Sequence, residues 1–206
     1  MFKNKSFMVF MICSIIIFIP QAAYQSFMSV FLGVKGFENV ATIITIGPIS
    51  EIIFLFFLPF LLSRLGFKNI FLLGTLLWVT RLSLFGYSAT MTANALIIFG
   101  IILHGACWDF FFTTGEIYTD RKADPSVKAR AQGMYKVFTQ GIGWAIGGYV
   151  VGNIFNNTVT SEGAAALSQW QLFWIYPAIV AFAVGLIFLF FFKDKFLDTD
   201  QTSSTK

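Results

Sequence analysis

The chain has 206 residues, 57% of them hydrophobic and 12% charged, with 27 Phe and a formal net charge of +4. Soluble domains carry about a quarter charged residues, so this composition excludes a soluble globular protein and points to one that crosses the bilayer several times. The positive charges sit in the polar connections between apolar runs, which excludes nucleic acid as a partner.

The first hydrophobic run, 7–19, follows two lysines and precedes Gln21-Ala22-Ala23, an arrangement shared with signal peptides. The apolar pattern continues to Leu32, long enough to span, so a first transmembrane helix is expected over 7–32. Further spans of at least about 20 mostly apolar residues are expected at 39–63, 68–88, 94–118, 128–154 and 169–192. Gly, Asn, Pro or charge marks each break: Gly33 to Asn39, Arg64 to Lys68, Tyr87 to Thr92, Thr119 to Val127, and Phe155 to Ser168. The expected fold is an all-α membrane protein, one bundle of six transmembrane helices over 1–192. A polar cytoplasmic tail from 193, ending QTSSTK, is expected to be disordered.

With the N-terminus inside, the inner segments hold Lys3, Lys5, Arg64, Lys68, Arg121, Lys122, Lys128, Arg130, Lys193, Lys195 and Lys206, and the outer loops hold only Lys35. That bias predicts a multi-pass protein of the cytoplasmic (inner) membrane with both termini in the cytoplasm. Asn156-Asn157-Thr158 forms a glycosylation sequon in an expected outer loop. Cys13 and Cys107 both fall in expected spans and read as small packing residues, not as a disulfide or metal site. The fifth expected helix carries the pairs Gly143/Gly147 and Gly148/Gly152, a spacing that lets helix backbones approach closely.

Ionisable groups within a span usually face the protein interior or a water-filled cavity. At about 1.5 Å per residue, Glu51 lies roughly 18 Å, Arg81 roughly 20 Å, His104 roughly 21 Å and Asp109 roughly 14 Å from the inner edge. The hydrocarbon layer is about 30 Å thick, so four groups from three helices share its middle. Arg81 is the only cation there, since Lys136 can snorkel inward, and Asp109 on the next helix is its expected partner. Glu51 is then the carboxylate without a cation and the candidate proton carrier, because desolvation favours the protonated form. Pro48, one turn earlier, is expected to kink that helix.

On the fourth helix, Asp109, Thr113, Glu116 and Asp120 form one stripe, and His104, Trp108 and Phe111 another. A His beside a Trp suits a planar polar ligand, by stacking and hydrogen bonding. On the first helix Gln21, Tyr24, Gln25 and Ser29, near a break at Pro20, form a polar face expected to line the same cavity. No nucleophile or metal set accompanies the carboxylates, so no cofactor is expected. An intramembrane enzyme using Asp109 and Glu116 as an acid–base pair is weighed against transport on that ground.

The run LHGACWDFFFTTGEIYTDRKADPSVKARAQGMY resembles the tenth- to eleventh-helix region of the nucleoside:H+ symporter family, within the major facilitator superfamily. IGPISEIIFLFFLPFLLSRLGFKNIFLLG and WVTRLSLFGY resemble the same family, and the match runs over most of 20–155. The resemblance implies a twelve-helix transporter of two six-helix halves with a central site at the midplane. This chain would be the carboxyl half, and its partners an amino-terminal six-helix half, a nucleoside, a proton and the lipid bilayer. Glu51 would be a nucleoside-binding carboxylate, His104 and Trp108 would stand where aromatic residues line the site, and Asp109 would be the tenth-helix aspartate. The expected substrate-binding set is thus Gln21, Tyr24, Gln25, Glu51, His104 and Trp108, with Glu51, Asp109 and Arg81 in proton coupling or ion pairing. Two positions depart from the family: Pro48 replaces a polar residue and His104 replaces the first aromatic. The SRLGFK loop lacks the superfamily's aspartate. A transporter of a sugar or another polar metabolite, and a half that does not transport, remain alternatives.

Overall fold

The computed structural model describes residues 4–193, and every regular element among them is helical. In chain order these are α1 (Lys5–Ile16), α2 (Phe18–Val34), the short α3 (Val40–Ile44), α4 (Ile46–Ala89), α5 (Asn94–Trp108), α6 (Thr114–Lys122), α7 (Lys128–Lys136), α8 (Trp144–Thr158) and α9 (Leu167–Phe191). Two π-helical segments, Asp109–Thr113 and Val137–Gly143, join α5 to α6 and α7 to α8. The expected disorder of the tail beyond 193 lies outside the described residues.

Two prolines set two of the junctions. A proline has no N–H to donate and its ring crowds the carbonyl four residues back. The α1–α2 break falls at Ile17, three residues before Pro20, and the α3–α4 break at Thr45, three residues before Pro48. The breaks thus precede the prolines that cause them, by about the reach of the missing bond.

Four stretches among the described residues are long and apolar enough to cross a membrane: Lys5–Val34, Val40–Ala89, Asn94–Lys122 and Gly163–Phe191. The sequence predicts six. The spans 39–63 and 68–88 fall in the single stretch Val40–Ala89, which leaves helical geometry at Gly66 (φ 74°, ψ 169°), a conformation open only to glycine. The expected span 128–154 lies in the helical run 128–158, where glycines and amides dilute the apolar content.

Contacts with α5 show what Gly66 does. Gly47 and Glu51 lie beside His104 and Gly105, and Phe54 beside Phe110. On the other arm Phe85 lies beside Gly100, Arg81 beside His104, and Gly74 beside Phe110. One arm of α4 therefore runs parallel to α5 and the other antiparallel, so the chain doubles back at Gly66. The second arm is the centre of the bundle. Its Phe71 meets Phe10 of α1, Phe111, Tyr118 of α6 and Phe188 of α9. Its Thr75 and Gly86 meet Gly185 and Gln171 of α9.

The two glycine pairs of the 128–158 run face different surroundings. A Cβ at Gly147 would lie 2.6 Å from the Phe18 carbonyl oxygen, and one at Gly143 3.0 Å from the Phe18 ring, so this pair seats α8 on α2. A Cβ at Gly148 or at Gly152 would meet nothing within 4 Å among the described residues.

Candidate functional site

Three side chains from two helices make a continuous polar chain in the middle of the bundle. Nε2 of His104 lies 3.0 Å from Oε1 of Glu51, and its Nδ1 lies 3.0 Å from Nη1 of Arg81. Both arms of α4 thus meet on one imidazole of α5. Arg81 is wholly buried, His104 nearly so, and the Glu51 side chain is 33% exposed. The chain therefore runs from the core outward to an open surface.

The surroundings of Arg81 are aromatic. Its guanidinium sits 3.6 Å over the Tyr24 ring, with Trp78 at 5.2 Å and Phe85 at 5.6 Å. Trp78 and Phe85, at i−3 and i+4, share its helix face, and ring faces attract a cation. Tyr24 also stacks on His104 at 5.1 Å, so one ring of α2 covers both the guanidinium and the imidazole. Nε and Nη2 of Arg81 and the Tyr24 hydroxyl have no hydrogen-bond partner among the described residues.

The expected Arg81–Asp109 pair does not form. Arg81 meets His104, while Asp109 accepts a hydrogen bond from the Thr113 hydroxyl at 3.0 Å and leaves Oδ2 buried without a hydrogen-bond partner among the described residues. Five residues carry the chain about 140° around a helix axis, so Asp109 does not share the face of α5 that His104 turns toward Arg81. Asp109 also opens a π segment, whose extra residue per turn resets the phase of the residues beyond it.

The remaining expected residues divide. Gln21 and Tyr24 are buried, Gln21 with its side-chain oxygen unpartnered among the described residues, whereas Gln25 and Ser29 are exposed. The polar face expected on the first helix is thus split between the core and the surface. Trp108 is half-buried, 6.4 Å from His104 and 4.7 Å from Phe112 between ring centroids. Glu116 and Asp120 face α7, pairing with Lys136 at 3.0 Å and Lys128 at 2.6 Å. Lys136 is thus held by a carboxylate. Cys13 and Cys107 are buried free thiols, and no group of His, Cys, Asp and Glu among the described residues is arranged to hold a metal.

Sequence reasoning passed over Ser50 and Gly105. The Ser50 hydroxyl donates to the Gly47 carbonyl at 2.6 Å and accepts from the Gly105 N–H at 3.0 Å. A Cβ at Gly105 would lie 2.4 Å from Glu51 N. The two backbones touch at the residues beside Glu51 and His104. The small run Gly105-Ala106 next to the only histidine was the available signal. A groove of about 380 Å³ between Phe54, Leu73, Leu103 and Phe110 has wholly apolar walls, and nothing in it can orient a polar solute.

An all-helical chain with several apolar spans and a buried polar cluster opening to one surface has the architecture of a multi-pass membrane protein. The sequence model described as Nucleoside H+ symporter matches residues 1–196, and the chain belongs to that family. Escherichia coli (strain K12) YegT is 31% identical over 198 residues, 93% of this chain and 46% of that protein. The nucleoside permease NupG of the same strain is 30% identical over 203 residues, 91% of this chain and 48% of that protein. The crystal structure of the nucleoside transporter NupG superposes with a TM-score of 0.80 at 29% identity, over 94% of this chain and 50% of that one. The chain spans about half the length of the relatives it matches. The family is one of transporters, so the acid–base enzyme reading of Asp109 and Glu116 falls away.

Proposed function

We propose that this chain is the carboxyl-terminal half of a proton-coupled nucleoside permease of the cytoplasmic membrane, working by alternating access with an amino-terminal half. In this reading the membrane spans number six. The reversal at Gly66 divides α4 into two, and 128–158 supplies the fifth. The lysine and arginine bias supports placing both termini in the cytoplasm.

The observation that carries the reading is the state of Glu51. His104 holds one carboxylate oxygen at 3.0 Å, and the other has no hydrogen-bond partner among the described residues, on a side chain 33% exposed. An ionised carboxylate accepts hydrogen bonds only, which suits the hydroxyls of a ribose. Trp108, half-buried one turn from His104, offers a ring face for a planar base. Gln21, Tyr24 and Gln25 belong to the same proposal, with Gln25 exposed. The protein has two candidate proton carriers, Glu51 and Asp109, the latter with its free Oδ2.

The test is acid-driven uptake of uridine and of a purine nucleoside into vesicles holding this chain joined to its amino-terminal half. Glu51→Gln keeps the shape and cannot titrate, and Asp109→Asn does the same at the rival position. Glu51→Gln is expected to abolish uphill uptake and to weaken nucleoside binding. Normal acid-stimulated uptake by Glu51→Gln would move coupling to Asp109. Uptake of neither nucleoside by the unaltered protein would refute the substrate class.

A further inference from the structure

His104 lies between a cation and a carboxylate, and the chemistry of its neighbours decides where its hydrogen sits. A guanidinium carries only N–H donors and no acceptor. The nitrogen that meets it at 3.0 Å, Nδ1, must therefore present its lone pair. In a neutral imidazole the hydrogen is then on Nε2, the nitrogen 3.0 Å from Oε1 of Glu51. The donor order is Arg81 to His104 to Glu51, and it leaves no other arrangement of hydrogens.

We propose that Arg81 is a positioning residue for the substrate carboxylate, acting through His104: it locks the imidazole as the neutral Nε2–H tautomer, which fixes Glu51 by Oε1 and leaves Oε2 for substrate. The proposal rests on the reading of Glu51 as a nucleoside-binding group. Its corollary is that His104 carries no proton through the transport cycle. A second hydrogen on the imidazole would go to Nδ1, where it would face an N–H of Arg81 and set two cations side by side. Proton uptake at Glu51, where it occurs, goes to Oε2, the same atom that meets substrate.

The groups around the imidazole support the lock. From α4 they are Arg81 and Glu51, and from α2 Tyr24, whose ring stacks on His104 at 5.1 Å. Cys107, one turn along α5, has its thiol beside the guanidinium. Asp109 is engaged with Thr113. No carboxylate among the described residues reaches Nδ1. The Ser50–Gly105 hydrogen bond at 3.0 Å fixes the backbone on both sides of the His104–Glu51 contact.

The test is nitrogen-15 NMR of histidine-labelled transporter in lipid, with both halves present. The signals of His104, which is the only histidine in this chain, are assigned by their loss in His104→Gln. Expected is one unprotonated nitrogen, Nδ1, and one N–H, Nε2, unchanged between about pH 7.5 and pH 5.5, the range in which a free imidazole titrates. Arg81→Lys, still a donor-only cation, keeps that pattern. Arg81→Met lets His104 become imidazolium on acidification, weakens nucleoside binding about tenfold and gives it a new dependence on pH in the same range. A protonated Nδ1 or an imidazolium in the unaltered protein would overturn the proposal, and so would Arg81→Met spectra identical to the parent's. Should Arg81→Met fail to fold, the parent spectrum alone decides. Should Glu51→Gln leave nucleoside binding intact, the substrate reading fails while the tautomer result stands.

Discussion

Two of the places where charged side chains bridge helices are built in opposite ways. In the middle, Arg81 and Glu51 are separated by an imidazole, Arg81 is wholly buried and ringed by Tyr24, Trp78 and Phe85, and the supporting backbones touch. Toward the α6–α7 turn, Lys136 meets Glu116 and Lys128 meets Asp120 directly, on side chains between 36% and 52% exposed. Direct pairing of exposed charges adds little stability, because water solvates each ion almost as well. A buried cation has no such alternative and must keep its partners. The difference separates a part that opens at small cost from a part whose geometry is held.

The comparison breaks most visibly at Gly105. Gly105→Ala would drive a methyl into the backbone of Ser50 and Glu51, where the nearest atoms lie 2.4 Å away. The expected loss is on the order of 3 kcal/mol, read as a fall in melting temperature in detergent together with weakened nucleoside binding. A melting temperature equal to the parent's would mean that the two backbones have room between them for a methyl.

A smaller effect is expected at the other pole. Lys136→Ala should cost less than about 1 kcal/mol, and added salt should erase most of the difference. A loss as large as that of Gly105→Ala would place the two regions in one class.

The smallest effect concerns the turn itself. Asp124 caps the single turn Pro125–Val127, accepting from the Ser126 N–H at 3.0 Å and the Ser126 hydroxyl at 2.6 Å. These bonds favour the ionised form and hold its carboxyl below the ordinary carboxylate value. A depressed folded-state value means stability that is present above the ordinary value and lost as pH falls through the folded one. Amide exchange at 124–128, corrected for intrinsic rate, should stay flat from neutral pH to the ordinary carboxylate range and rise below it. Asp124→Asn should flatten that rise.

These contrasts also mark what could be read from residue order. Glu51, His104 and Arg81 stand out because each interrupts an apolar run, and their similar depth comes from counting residues. Their partners cannot be read from depth. Pairing Arg81 with Asp109 needed the azimuth of each on its helix, and the π segment at 109–113 has no plain signal in DFFFT. Pro20 and Pro48 announce broken helices, and the missing N–H puts each break three residues earlier, at Ile17 and Thr45. Gly66 is legible as a turn only because Arg64 and Lys68 flank it. The glycine pairs of the 128–158 run read alike, yet Gly143 and Gly147 meet Phe18 while a Cβ at Gly148 or Gly152 would meet nothing among the described residues, since spacing defines a face but not its neighbour.

The touching backbones of α4 and α5 have a mechanical meaning. Where no side chain separates two helices, they cannot slide through one another's surface, and rocking about the contact is the easier motion. Gly105 against Ser50 and Glu51 is thus a fulcrum, with α5 and the first arm of α4 as its levers. Displacement about a fulcrum grows with distance from it. The lever ends travel farthest in such rocking, while Glu51, at the pivot, and His104, one residue from it, keep the same distance and present the same chemistry at every angle.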